Sequence, residues 1–267
     1  MKKKVVIPFR WPGGKFYAIK LLRAFWETHE HTEYREPFFG GGSVFFAKDK
    51  VDVNWINDID KELVNTLKIL QDPLMRVTLA DMYRDEIEAT VENYAKVKSM
   101  EPSTDLERAY RYYYLNRTSY SGKMKNPSWG YRPKRSLPPM RWHERILPCG
   151  EKLEDVKITS LDFADVMLAD SENKVLMFLD PPYYKAQHYV HSFEIEDHVR
   201  LAEVCKQTKH DFFLTYDDCP EIRKLYGWAN IYDLKFYYRL DNSRDNEDKR
   251  QIGSELVITN YDAKLKK

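Results

Sequence analysis

Five apolar residues, Val175-Leu176-Met177-Phe178-Leu179, run straight into a carboxylate and two prolines, and no other stretch restricts the fold as tightly. A continuous apolar run of that length suits a strand buried on both faces of a sheet. Pro181 and Pro182 cannot donate to a ladder, so the chain leaves the sheet at Asp180. That places a carboxylate at a strand's carboxyl end, where open α/β sheets bind their ligands. Tyr183 follows with a flat aromatic face. Asp180 and the carbonyls between the prolines accept hydrogen bonds, so the set suits a planar group carrying an amine, such as adenine. The plainer alternative is a strand followed by a tight turn, with Asp180 as a cap.

The chain has 267 residues, enough for one large α/β domain with a sizeable insert. Its formal net charge is +1, so a nucleic-acid partner has to be argued from local clustering rather than from the total. Cys149, Cys205 and Cys219 lie far apart and form neither a zinc spacing nor a disulfide framework. The basic start, Met1 to Lys4, leads into a strand-like Val5-Val6-Ile7 and a proline rather than a signal core. No apolar run approaches the length of a membrane span. These features predict a soluble cytoplasmic protein.

Two glycine turns precede the insert. Trp11-Pro12-Gly13-Gly14-Lys15 opens onto a helical pattern in which Phe16, Ile19, Leu22 and Phe25 share one face. It suits an anion or cofactor clamp, or simply a helix-entry loop. A strand is expected over Tyr34–Phe39, then Gly40-Gly41-Gly42, with Ser43 as the helix cap. Such a unit holds nucleosides in doubly wound folds, but it lacks both the dinucleotide fingerprint and the phosphate-loop Gly-Lys-Ser/Thr. A second strand, Val51–Ile56, ends on Asn57-Asp58-Ile59-Asp60. Asp58, nearer the strand end, is placed to accept ribose hydroxyls, and Asp60 suits a cap for the helix that follows.

After Asp72-Pro73 the character changes. The chain is polar and helical from about Leu74 to Met100. Between Arg108 and Arg145 ten basic residues face one acid, Glu144, with eight aromatics interleaved. Its middle, Asn116 to Pro139, is rich in Gly, Ser, Asn and Pro and reads as loop or hairpin. A segment of this kind suits a phosphate backbone, with Asn and Arg available for base edges; the plain alternative is a solvated face. The candidate DNA-binding residues are Asn116, Arg117, Lys123, Lys125, Asn126, Arg132, Lys134 and Arg135.

Beyond the insert, Val156–Ser160 reads as a strand leading to Asp162-Phe163, which suit either a pocket rim or a helix cap. Lys185 to Phe193 reads as a mobile lid, and Asp241 to Gly253 as a flexible charged loop. Helices are expected over Ile195–Gln207 and Pro220–Tyr226, and strands over Asp211–Tyr216 and Ile231–Leu240. The alternation in Glu255–Asn260 suggests an antiparallel closing pair at the sheet edge.

Three stretches in this order, Trp11–Lys15, Glu36–Ser43 and Asp180–Tyr183, resemble the Dam-type (alpha-group) DNA adenine methyltransferases, which use S-adenosylmethionine. Asn57-Asp58-Ile59, Leu115-Asn116-Arg117 and Glu255–Tyr261 are weaker matches, so the resemblance spans nearly the whole chain. It implies an α/β fold: a seven-stranded Rossmann-like methyltransferase sheet with an inserted, mostly helical and loop target-recognition domain. The catalytic domain would be 1–70 and 151–267, and the insert 71–150. The family's cofactor contacts fall on Trp11, Lys15, Phe39, Gly40, Gly41, Asp58, Asp162, Phe163 and Asp180. Its catalytic motif falls on Asp180, Pro181, Pro182 and Tyr183.

The implied reaction methylates the exocyclic amine of an adenine flipped out of double-stranded DNA. Asp180 and the Pro181 carbonyl would accept the amine hydrogens while Tyr183 stacks on the base, with no metal. A monomer in a bacterial or phage-infected cell is expected. After Arg117 the sequence departs from the best-known members: it has Ser121-Gly122, then Ser128-Trp129-Gly130-Tyr131-Arg132-Pro133, where they carry Asn-Gly and a run ending Phe-Asn-Val-Pro-Phe-Gly. The resemblance therefore does not carry the GATC target over, nor does it say whether a restriction enzyme accompanies the protein. Competing readings are RNA or protein amine methylation by the same pocket, and a non-catalytic DNA-binding homologue.

Overall fold

A computed structural model describes residues 7–85, 87–184, 192–237 and 252–263. The expected lid, the charged loop and the Val5-Val6 strand lie largely or wholly outside these residues. In chain order the elements are α1 (Ile19–Glu27), β1 (Glu33–Glu36), α2 (Ser43–Ala47), β2 (Val53–Asn57) and α3 (Lys61–Gln71). Then come α4 (Pro73–Asp85), α5 (Val91–Ser99), α6 (Asp105–Thr118) and α7 (His143–Leu153). The chain continues with β3 (Lys157–Thr159), α8 (Phe163–Leu168), β4 (Val175–Leu179), α9 (Ile195–Gln207), β5 (Asp211–Asp217), α10 (Pro220–Leu225), β6 (Asn230–Tyr237) and β7 (Ile252–Thr259).

The strands form one seven-stranded sheet in the order β3-β2-β1-β4-β5-β7-β6. The first five pair in parallel, and β7 runs antiparallel between β5 and β6, which is the closing pair that the alternation predicted. The apolar run of β4 is explained by its two faces. Leu176 and Phe178 enter one apolar cluster, with Tyr34, Ile56 and the helices α1 to α3. Val175, Met177 and Leu179 enter the other, with residues of α8, α9 and α10. Alternate side chains of a strand point to opposite faces, so a strand covered twice must be apolar throughout.

Strand β1 is buried along its whole length although it reads Glu-Tyr-Arg-Glu. Glu33 and Arg35 satisfy each other's charge, and the carboxyl of Glu36 is held by a neutral hydroxyl. Arg35 Nε donates to Glu33 at 2.6 Å, and Arg35 Nη1 reaches the carbonyls of Val166 and Ala169, each at 2.8 Å. The Tyr34 hydroxyl donates to Glu36 Oε1 at 2.7 Å. Buried charges persist only when paired in this way.

Segment 71–150 shares its core with the sheet. Tyr83, Tyr112, Tyr113, Tyr114 and Trp142 belong to the same apolar cluster as Ile56 and Phe178.

Three local expectations change. Gly42, at φ 66°, is the N-cap of α2, and Ser43 is its first helical residue, because only a left-handed residue turns the chain sharply enough into the helix. Phe16 is 49% exposed and does not share the buried face of Leu22 and Phe25, because Lys15–Tyr17 forms a separate 3-10 turn and α1 begins only at Ile19. Helix α6 runs on through Thr118, so Asn116, Arg117 and Thr118 are helical rather than loop.

Candidate active site at the strand switch

The strand order reverses direction between β1 and β4, so their carboxyl ends diverge into helices on opposite faces and leave a crevice. The glycine turn follows β1 and Asp180 follows β4, which brings the two motifs together across that crevice.

Asp180 is held from two sides. The Thr215 hydroxyl on the neighbouring β5 donates to Asp180 Oδ1 at 2.8 Å. Lys15 Nζ lies 2.6 Å from the same oxygen. Lys15 is only 4% exposed, also donates to the Gly13 carbonyl at 3.1 Å, and sits 4.7 Å above the Tyr183 ring. Oδ1 is thus occupied by two donors, and Oδ2 has no hydrogen-bond partner among the described residues. The carboxylate side chain keeps 21% of its surface exposed, so it remains reachable.

The opposite wall is the glycine turn. A Cβ added to Gly41 would lie 2.7 Å from Trp11 Cβ, and one on Gly42 2.4 Å from the Phe39 ring. The turn and the Trp11 loop therefore pack at a distance only glycine permits. Asp58 at the end of β2 accepts from the Gly40 amide through Oδ2 (2.8 Å) and from the Asp60 amide through Oδ1 (2.9 Å). Each carboxylate oxygen has further lone-pair capacity for a ligand hydroxyl. Asp60 caps α3, accepting from the amides of Glu62 and Leu63.

A cavity of about 240 Å³ occupies the crevice, and Trp11, Lys15, Phe39, Gly40, Gly41, Asp58, Asp162, Phe163 and Asp180 all line it. Pro182 lines it too; Pro181 is buried beside it, and the Tyr183 ring lies under Lys15. Asp162 combines both sequence readings. It caps α8 through the Ala164 amide and pairs with Arg200 through two bonds of 2.6 and 2.9 Å. That pairing holds the Asp162 carboxyl below its usual range, and the Arg200 guanidinium rests 4.6 Å over the Phe163 ring.

Sequence reasoning missed Thr215, Phe38, Phe193 and Arg200. Phe38, Phe193 and Arg200 line the cavity. Thr215 had a signal, being a hydroxyl in the middle of an otherwise apolar strand. Arg200 and Phe193 had none, because they enter through the packing of α9.

The basic segment is less uniform than its composition. Asn116 is fully buried, and its side chain clamps the segment before the glycine turn. Its Oδ1 accepts from the Arg10 amide at 2.8 Å, and its Nδ2 donates to the carbonyls of Arg10 (2.9 Å) and Gly122 (3.2 Å). It is a positioning residue, not an exposed base reader. Arg117 is 6% exposed and reaches the Pro8 carbonyl. Lys123 is half-buried, and Lys125, Asn126, Arg132, Lys134 and Arg135 are exposed. Arg108 is neutralised by Glu62 and Asp105, and Arg141 by Glu144. Asp105 lies just before this segment in the chain, and Glu62 reaches it from α3.

Among the described residues, no group of three or more His, Cys, Asp or Glu side chains is arranged to hold a metal ion. No helix among them is long and apolar enough to cross a membrane.

Comparison with known proteins bears on the chemistry. A family model described as D12 class N6 adenine-specific DNA methyltransferase matches residues 11–239. The chain is 26% identical to a type II methyltransferase, M.CviBI, of Paramecium bursaria Chlorella virus NC1A, over 94% of this chain and 98% of that protein. It is 29% identical to the DNA N-6-adenine-methyltransferase of Escherichia phage P1, over 82% of this chain and 30% of that much longer protein. A DNA adenine methylase of Vibrio cholerae serotype O1 is 23% identical over 88% of this chain and 89% of its own length.

Proposed function

The chain belongs to the D12 class of N6 adenine-specific DNA methyltransferases, and from that premise we propose how its residues carry the reaction and on what substrate. The methyl donor is S-adenosylmethionine and the acceptor is an adenine extruded from double-stranded DNA. The observation that carries the assignment of roles is the double hold on Asp180 Oδ1, which leaves Oδ2 to accept from the substrate amine.

The residues of the crevice fit the donor. The turn at Gly40 and Gly41 admits close backbone approach, Asp58 has lone pairs for the ribose hydroxyls, and Phe38, Ile59 and Phe163 offer apolar surface to a purine ring. S-adenosylmethionine supplies an electrophilic methyl group. Everything else falls to the protein. Adenine's amine lone pair is delocalised into its ring and is a poor nucleophile. Asp180 Oδ2 and the Pro181 carbonyl accept the two amine hydrogens, which draws the nitrogen toward a tetrahedral shape and aims its lone pair.

Extruding the base costs a few kcal/mol of stacking and pairing. Stacking on Tyr183 returns roughly 1–3 kcal/mol of that. Fixed dipoles and positioning supply the acceleration. Transfer would break the donor's methyl–sulfur bond, leaving S-adenosylhomocysteine, as the nitrogen–carbon bond forms, and the one amine proton lost would go to Asp180 or to water. The exposed bases Lys125, Arg132, Lys134 and Arg135 meet the DNA backbone, together with Lys123 and Asn126. The enzyme works as a monomer in the cytoplasm of a bacterial or phage-infected cell.

The test offers labelled S-adenosylmethionine with duplex DNA, RNA and protein, followed by digestion. Label recovered as N6-methyladenine from DNA is the expected product. Label confined to RNA or protein overturns the substrate, and no transfer to any of them overturns the reaction.

A further inference from the structure

Five arginines meet at a second cavity of about 620 Å³: Arg10, Arg117, Arg132, Arg135 and Arg145. They come from separate parts of the chain, the segment before the glycine turn, the end of α6, the loop after it and the start of α7. Trp11, Gly14 and Ser43 form part of the wall of both this cavity and the active-site crevice, so the two are neighbours.

No aspartate or glutamate lines this cavity among the described residues. Elsewhere most arginines are paired with acids, Arg35 with Glu33, Arg76 with Glu154, Arg108 with Glu62 and Arg200 with Asp162, while Arg111 stands alone in reaching only the Lys98 carbonyl among the described residues. Here, among the described residues, the side-chain partners are only carbonyls. Arg10 Nη1 reaches the carbonyls of Arg117 (3.4 Å) and Ser119 (3.3 Å), and Arg145 Nη1 that of Ile7 (2.9 Å). The Nε groups of Arg117 and Arg145 are buried without a hydrogen-bond partner. Burial, with Arg145 and Arg10 adding like charge, pushes the Arg117 guanidinium down to about 10. Burial and the Arg132 charge lower Arg10 as well. A carbonyl dipole orients a guanidinium but does not cancel its charge. Clustered cations left without a counter-charge are a standing demand for an anion.

The geometry points to a seat for backbone phosphates: this cavity takes the two phosphates that flank the extruded adenosine on the target strand. The inference rests on the methyl-transfer reading above. A base leaves its stack by rotating about its own backbone, so its flanking phosphates stay at the mouth of the pocket the base enters. The arginine cavity shares Trp11, Gly14 and Ser43 with that pocket and offers the nearest cluster of uncompensated positive charge to hold them. Charges spread over five side chains suit a polymer backbone carrying successive phosphates better than a single small anion. Such contacts set the register of the strand and carry no sequence information, which separates this cavity from whatever reads the target site.

The experiment pairs an R132Q/R135Q double variant with duplexes carrying one neutral methylphosphonate linkage at a time. Both residues are exposed, so the variant is expected to fold. For the wild type, neutralising a linkage next to the methylated adenine should lower affinity about tenfold, while remote linkages change it little. The variant should lose about tenfold on unmodified DNA, show a salt slope shallower by roughly two, and lose clearly less than the wild type does at the flanking linkages.

Losses that simply add, or a wild type indifferent to the flanking linkages, overturn the proposal. So does inorganic phosphate at millimolar levels competing with DNA only through Arg132 and Arg135 while the flanking linkages have no effect, since the cavity would then hold a free anion. Methyl transfer to the unmodified duplex is scored separately. Its absence would fail the reaction assigned above, whereas unlinked binding losses would fail only the phosphate seat.

Discussion

Thr215 and Asp180 stand on neighbouring strands, and the buried Thr215 hydroxyl donates to Oδ1 of Asp180 across 2.8 Å. The contact fixes which carboxylate oxygen faces the substrate. Thr215→Val keeps the shape and removes the donor. A hydrogen bond to a charged group is worth about 1.5–3 kcal/mol, so kcat should fall roughly tenfold to a hundredfold. The KM for either substrate should move less than about threefold, and Thr215→Ser should restore most of the rate. Steady-state kinetics of the three proteins decide it; an unchanged kcat in the valine variant removes Thr215 from the mechanism.

Asp180→Ala should lower kcat by at least about a thousandfold, because the preorganised acceptor for the amine is gone. DNA affinity should stay within about threefold, since the backbone contacts are elsewhere. Single-turnover methylation and a gel-shift titration on the same preparation test both halves. Near-normal transfer would mean that the carboxylate does not grip the amine.

Gly41→Ala places a methyl group 2.7 Å from Trp11 Cβ, closer than side chains approach. Trp11 has to move, and the cofactor wall moves with it. Affinity for S-adenosylmethionine should weaken about tenfold, or 1.4 kcal/mol. Equilibrium dialysis measures this directly, and an alanine variant that binds the cofactor as tightly as wild type would show that the turn does not form the cradle.

Glu36 gives the stability a pH dependence. Burial lifts its carboxyl to about 8, the Asp180 carboxylate adds to the rise, and the Tyr34 hydroxyl and Lys48 oppose it. The folded protein therefore keeps a proton that the unfolded chain releases above its ordinary value of 4.5. This contribution to stability is complete below the unfolded value and disappears as pH rises through the folded one. Glu36→Gln imitates the protonated form and should flatten the decline between pH 5 and pH 8 in urea midpoints. Parallel pH profiles for the two proteins would contradict it.

Asn116→Ala should cost stability. It leaves the Arg10 amide and carbonyl and the Gly122 carbonyl without their side-chain partner, at about 1–3 kcal/mol for a buried unsatisfied group. Chemical denaturation should show a loss of at least about 2 kcal/mol. An unaltered midpoint would mean that the clamp is not holding the segment.

The motifs legible in the chain were those whose chemistry is local. The apolar run of β4 ending at Asp180, the three glycines, and Asp58 at a strand end each announce themselves within a few residues, and the structure gathers them around one crevice. Strand β1 was legible in place but not in its burial, because Glu33 and Arg35 read as surface until their pairing is seen. The basic segment was legible as a net excess but not residue by residue. Asn116 looks like a base reader in a list of polar residues and turns out to be an internal clamp, and Arg108 looks free until Glu62 arrives from α3.

By itself, then, the order of residues determined the α/β architecture, the acid at the strand tip and the glycine turn, because periodicity, prolines and glycines act through the backbone at short range. Which oxygen of Asp180 is left open, and which arginines lack a counter-charge, were decided only by tertiary packing. Thr215 lies 35 residues from Asp180 in sequence, and Arg10 lies 107 from Arg117. Hydrogen bonding and Coulomb interactions depend on distances in space that no short-range pattern encodes.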